Sequence, residues 1–388
     1  MRILHTAELY APVLGGAQEV VRQISERLVA RGHEVTVATT RVAGRAAGPI
    51  GGVQIAEFDI AGNAARGFTG EAERYERFLL EGDFDVMLNY AAQQWTADLA
   101  MGLLERLPYP ALLAPCGFSG LLDPAYRDYF AALPERAARY RELILHSTTY
   151  RDAAFLREHG VANTRLIPNG ADEREFGEPG DPGAFRRAHD LHGVPLLLTV
   201  GGHTGQKGHR EAIDALGQMR RRAALVLVGN KPFGRGCSLS CDVRGRWVGA
   251  RSLGRRRVLA LDPPRAGVVE AYRAADLFVL ASNIECSPIV LFEAMASGTP
   301  FVSADVGNAA EIAEWSDSGV IVPTRHGEDG RSFVESAALV DAVEALLADV
   351  ERRRAMAAAG RAAWRRQFTW DVISRRYEAA YEDAIAGR

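Results

Sequence analysis

The sequence predicts an α/β protein made of two doubly wound halves, and three observations carry that reading. Short β-rich apolar runs alternate with longer amphipathic stretches along nearly the whole chain, the pattern of βα units feeding a parallel sheet. The runs form two series, separated by a stretch dense in turn formers. With 388 residues, 47% of them hydrophobic, the chain can fill two cores of ordinary size.

In the first series the predicted strands are Arg2 to Thr6, Glu34 to Thr39, Val86 to Asn89, Ala111 to Ala114 and Leu143 to His146. Between the first two, Ala17 to Arg31 reads as a helix with Val20, Val21, Ile24 and Leu28 on one face and Gly32 as its stop. Pro168-Asn169-Gly170-Ala171-Asp172, followed by Gly177, Pro179, Gly180, Pro182 and Gly183, marks the boundary. The second series is Pro195 to Val200, Ala224 to Gly229, Asp276 to Leu280, Pro300 to Ser303 and Gly319 to Val322. Within it, Gly234 to Cys241 and the arginine-rich Arg244 to Arg257 read as an insertion or long loop. That segment is either a solvated basic surface or a patch for an anionic acceptor or lipid phosphate. Domains are expected at 1–168 and 169–368. Ligands of open α/β sheets sit beyond the carboxyl ends of the strands, so two such domains facing one another predict a cleft.

Composition removes several classes of function. Lys plus Arg number 46 against 49 Asp plus Glu, a net charge of −3 that gives no signal for nucleic acid. No apolar run approaches the roughly 18 residues that span a bilayer, and Met1-Arg2-Ile3-Leu4-His5 lacks a leader's apolar core, so a cytoplasmic protein is expected. The cysteines are Cys116, Cys237, Cys241 and Cys286; Cys237 and Cys241 read as two loop thiols rather than a zinc site. Asp83-Phe84-Asp85 resembles a metal-holding pair of carboxylates but precedes its strand, at the wrong end for a ligand, so exposed turn carboxylates are expected. No metal is expected, nor any resident cofactor.

The chemistry concentrates at Glu285-Cys286-Ser287-Pro288-Ile289-Val290-Leu291-Phe292-Glu293, followed by Ala294-Met295-Ala296-Ser297-Gly298-Thr299-Pro300. Ser287 suits a helix N-cap, Pro288 the first helical position and Gly298 the stop. The free amides of that first turn, around Ile289 and Val290, make an anion site worth up to about 2 kcal/mol per charge. Glu293 interrupts an apolar run and needs a partner: a ribose diol or a nearby arginine, with spacing alone favouring neither.

Glu285 and Glu293 together resemble the E-x7-E motif of retaining glycosyltransferases of the GT-B class, and Glu-Ala-Met-Ala-Ser-Gly-Thr-Pro is similar to the form seen in glycosyltransferase family 4. The resemblance implies that Glu293 holds the ribose hydroxyls and Glu285 those of the donor sugar, while the helix start Ser287-Pro288-Ile289-Val290 binds phosphate through the amides of Ser287, Ile289 and Val290. It extends to Gly15-Gly16 before the first helix and to Val200-Gly201-Gly202-His203-Thr204-Gly205-Gln206-Lys207, similar to the family's pyrophosphate loop. Lys207 is the cation there; by itself it would read as a surface lysine. The chain departs from the family twice. Gly202 stands where an arginine is common, leaving His203, His209 or Arg210 to take over. Cys116 replaces a histidine before Gly117, where Gly117, Phe118 and Ser119 are the candidate acceptor contacts. No feature marks Cys116 as a nucleophile.

The resemblance further implies a terminal segment, residues 369–388, returning to the first domain. It implies metal-independent transfer of a hexose from a nucleotide diphosphate sugar, UDP before GDP, to a glycan, lipid-linked or small-molecule acceptor. Peripheral contact with the inner face of a membrane is compatible with it. The competing readings are a sugar-nucleotide epimerase, a phosphorylase, or a catalytically silent scaffold. A dehydrogenase is disfavoured because no G-x-G-x-x-G follows the first strand.

Overall fold

The computed structural model describes residues 1–178, 180–230 and 236–387; Pro179 and Gly234, counted above in the boundary and the insertion, fall outside the described residues, as does Arg388. The chain forms two compact units, Met1–Asn169 with Trp370–Arg388, and Gly170–Thr369.

The first unit holds β1 (Arg2–Thr6), β2 (Glu34–Thr40), β3 (Gln54–Phe58), a hairpin of β4 (Ile60–Asn63) and β5 (Gly67–Gly70), then β6 (Val86–Tyr90), β7 (Ala111–Ala114), β8 (Glu142–Leu145) and β9 (Thr164–Leu166). Its sheet runs β3-β2-β1-β6-β7-β8-β9, every pair parallel. Chain order reverses between β1 and β6, because the connections wind first one way and then the other. The predicted first helix is present as α1 (Gly16–Ala30), with Val20, Val21, Ile24 and Leu28 buried.

The second unit holds β10 (Leu196–Val200), β11 (Ala223–Val228), β12 (Arg256–Leu261), β13 (Leu277–Leu280), β14 (Phe301–Ala304) and β15 (Gly319–Val322) in the order β12-β11-β10-β13-β14-β15, with a separate hairpin of β16 (Thr324–His326) and β17 (Ser332–Val334). This is the doubly wound arrangement, with its switch point between β10 and β13. Central strands such as β11 are buried on both faces, hence their unbroken apolar run Ala-Ala-Leu-Val-Leu-Val.

The insertion between β11 and β13 is a correction to the sequence reading. It is not a loop: Gly236–Arg251 is a helix, and Arg256–Leu261 is the edge strand β12. The arginines of β12 are anchored rather than merely solvated, Arg256 donating to the carbonyls of Gly217 and Met219 and Arg257 to that of Asp190. The boundary segment is likewise partly helical, because Asp181 caps Pro182–Ala188 by accepting from the Gly183 amide.

The terminal helix Trp370–Ile385 packs on the first unit. His5 on β1, wholly buried, bonds Ser25 Oγ on α1 at 2.8 Å and Tyr381 Oη on the terminal helix at 2.9 Å. Arg31 and His33 reach Asp371 and Glu378, and Arg165 reaches Asp383. Burial pushes the His5 imidazole down to about 3, so it is a neutral hydrogen-bonding joint.

Candidate functional site

In the second unit the site assembles at the switch point, from the loops after β10 and β13. The β10 loop is pulled tight against its neighbours. Gly208 has φ 66°, and a Cβ there would collide with the Ala281 carbonyl at the end of β13, so only glycine fits. The Asn283 amide donates to the Gln206 carbonyl at 2.8 Å and joins the two loops directly. Gly307 (φ 58°), after β14, likewise lies against the backbone of Glu285 and Cys286, and the Asn308 amide donates to the Cys286 carbonyl at 2.9 Å.

These joints bring together residues far apart in sequence. Lys207 Nζ lies 2.7 Å from Glu285 Oε1, with the lysine stem folded over Gly201 and both side chains partly open to solvent. The helix that follows begins at Ile289, with Pro288 as its N-cap. Ser287 therefore sits one residue before the cap rather than at it. Proline brings no capping side chain, so the first-turn amides of Ile289 and Val290 are not answered from the cap position. Gly298 (φ 72°) ends the helix as predicted.

Glu293, on the same helix and 5% exposed, is paired with Arg265, which also holds Glu175. The arginine partner left open by the sequence is thus present, contributed by a different helix. Burial raises the Glu293 carboxyl above its ordinary range, while Arg265 and the Tyr272 hydroxyl pull it back down. Arg265, Glu175 and Tyr272 could not be found by pattern, since nothing local couples them to Glu293.

Of the replacements expected for the missing arginine at Gly202, the two histidines are buried against each other and Arg210 is drawn to Asp214. His203 and His209 are 2% and 4% exposed and face each other, their Nδ1 atoms 3.3 Å apart. Burial and the neighbouring His203 and Lys207 push His209 down to about 4. Arg210 is exposed and points towards Asp214.

In the first unit, Gly15 stands at the N-cap of α1 and Gly16 begins the helix. The backbone is left-handed at Cys116 (φ 59°), Gly117 (φ 91°) and Phe118 (φ 48°), and at Ala91 (φ 70°) and Gln93 (φ 65°) in the loop after β6. Side chains rarely adopt that conformation, and its concentration at the carboxyl ends of β6 and β7 marks a second site-like feature. The Gly117 amide donates to Asp152 at 2.9 Å. The Phe118 ring is 1% exposed against Phe130 and Phe155, which withdraws it from acceptor contact.

Cys116 does have a histidine neighbour, which the sequence could not show: His146 Nε2 is 3.9 Å from Sγ. Burial nonetheless raises the thiol to about 12 and lowers His146, so thiolate formation is disfavoured. Asp83 and Asp85 are both taken up by Arg2 at the amino end of the sheet.

Fold and site together define a protein of two Rossmann-like α/β domains with GT-B architecture. Two family models match in tandem: Glycosyltransferase Family 4 over residues 14–175 and Glycosyl transferases group 1 over residues 194–349. A D-inositol 3-phosphate glycosyltransferase of Xylanimonas cellulosilytica is 29% identical, covering 100% of this chain and 97% of that one. A GDP-mannose-dependent alpha-(1-6)-phosphatidylinositol monomannoside mannosyltransferase of Mycobacterium tuberculosis is 28% identical over 60% of each chain. The structure of HepE from Anabaena in complex with UDP-glucose superposes with a TM-score of 0.76 at 18% identity, covering 99% of this chain and 100% of that one; the likeness is one of fold. The chain belongs to the family 4, group 1 glycosyltransferases. It is a glycosyltransferase enzyme.

Proposed function

We propose that this chain moves a hexose from a nucleoside diphosphate sugar to an acceptor hydroxyl with retention of anomeric configuration and without a metal. The observation that carries the reading is the joining of Lys207, Glu285 and the Ile289 helix start at one switch point. Cleaving a sugar–phosphate bond places negative charge on the leaving diphosphate, so the main task is to stabilise that group. Lys207 supplies a cation, and the amides of Ser287, Ile289 and Val290 with the helix dipole supply donors.

Glu285, held by Lys207, is the group for the donor sugar's hydroxyls. Glu293 is the group for the ribose diol: a carboxylate accepts about four hydrogen bonds, so the Arg265 contact leaves capacity for a ligand. Gly201 and Gly202 give the phosphates close access to backbone. The acceptor proton goes to the leaving phosphate on the same face, since Cys116 is an unreactive thiol. UDP is the first donor to test, in keeping with the UDP-glucose complex of HepE; the GDP-mannose dependence of the mycobacterial relative makes GDP the second. The acceptor is a glycan, lipid-linked or small-molecule hydroxyl. The test is the anomeric configuration of the product by proton NMR: a retained configuration supports the reading and an inverted one overturns it.

Peripheral contact with a membrane is a second reading, carried by the helix Gly236–Arg251. Leu239, Val243 and Trp247, four residues apart and so on one face, are 59%, 61% and 59% exposed, with exposed Arg246 and Arg251 beside them. Co-flotation with anionic but not zwitterionic vesicles, lost in Trp247→Ala, is the expected result.

A further inference from the structure

The helix Gly236–Arg251 also brings its Cys237 and Cys241 against the two histidines of the β10 loop. One ligand atom from each of His203, His209, Cys237 and Cys241 lies within 4.8 Å of all the others. The cysteines are four apart on one helical face, and the histidines flank the tight turn at Gly208. A tetrahedral zinc ion, with Zn–N about 2.0–2.1 Å and Zn–S about 2.3 Å, sets two nitrogens about 3.3 Å and two sulfurs about 3.8 Å apart. The histidine Nδ1 atoms are already at that separation, 3.3 Å, with their rings tilted by 70°. The remaining ligands need to close by no more than about 1 Å.

Burial points the same way. His203, His209 and Cys241 are 2%, 4% and 4% exposed, so the cluster is shielded from water. Two buried imidazole nitrogens that face one another are satisfied together by a metal ion between them.

We propose that His203, His209, Cys237 and Cys241 bind one zinc ion as a closed structural site. Two thiolates and two imidazoles complete a tetrahedron with no open position, the signature of a structural rather than a catalytic centre. On binding, two Zn–S bonds replace two S–H bonds and two protons pass to solvent. The ion clamps the β10 loop to the helix after β11, and so fixes Lys207, two residues before His209. That last consequence rests on the donor role proposed above; the metal site does not.

The experiment uses the full chain purified without chelator. Elemental analysis is expected to give about one zinc per chain, and cobalt(II) refilling of the stripped protein is expected to give the visible absorption of tetrahedral thiolate ligation. Both signals are lost in Cys237→Ser, a half-buried near-isosteric change, and kept in Cys286→Ser. Within the unmodified chain, stripping lowers Tm and zinc restores it, a readout that needs no variant. A chain that holds no zinc and gives no thiolate–cobalt spectrum, or a Cys237→Ser variant that matches Cys286→Ser, overturns the proposal. Loss of nucleotide affinity on stripping extends it to the donor loop. If zinc binds and no nucleotide does under any condition, the donor reading fails and the metal site stands.

Discussion

Lys207 and Glu285 form an ion pair that is partly open to water, so the pair adds little to stability and its value lies in placing a cation at the switch point. Lys207→Ala is expected to lower kcat by about 10²–10³-fold, the usual loss when one preorganised charge-stabilising donor is removed, with thermal stability nearly unchanged. Equal activity in the variant would show that another group carries the leaving phosphate. Cys116 is the opposite case: its thiol is pushed up to about 12 by burial. Cys116→Ser should retain activity within a few-fold, and the native thiol should resist iodoacetamide at neutral pH. Glu285 and Glu293 were legible because a fixed spacing on one strand-loop-helix segment survives in sequence. Arg265 was not, since it meets Glu293 only through the packing of two helices 28 residues apart.

At the scale of elements, the strands buried on both faces read directly as short apolar runs, whereas β12 did not. It opens with Arg256-Arg257, whose side chains reach back to carbonyls of other segments, so a local pattern reads basic loop. The helix before it was missed for a related reason: Leu239, Val243 and Trp247 lie outside, which blurs the amphipathic period. The four residues of the zinc cluster were present as two weak pairs, joined only when β11 returns the chain to the β10 loop. The terminal helix gives a pH prediction through His5. Its folded-state value is about 3 against an ordinary 6.5, so between these the unfolded chain binds the extra proton. Stability is full above pH 6.5 and falls on acidification, by up to about 1.4 kcal/mol per pH unit. Urea denaturation followed across that window should show a shallower slope in His5→Asn; an unchanged slope would remove His5 as its source.

The whole molecule repeats one topology, order reversing beside the first strand of each sheet, and a doubly wound sheet presents its binding loops at that reversal whatever its sequence. This explains why fold class was the most legible property and the acceptor the least. The sheet order follows from βα periodicity, while loops carry no such period, as where residues 62–70 turn out to form most of the β4–β5 hairpin. The central claim is that the second unit binds a nucleoside diphosphate through Glu293. The measurement that tests it most directly is thermal unfolding with UDP, GDP, ADP and NAD, comparing the native chain with Glu293→Ala. A ligand at about 100 times its Kd stabilises by roughly 2.7 kcal/mol, enough to resolve. The account predicts selective stabilisation by one nucleoside diphosphate, UDP first, lost in the variant; no shift with any of the four, or a shift that the variant retains in full, would contradict it.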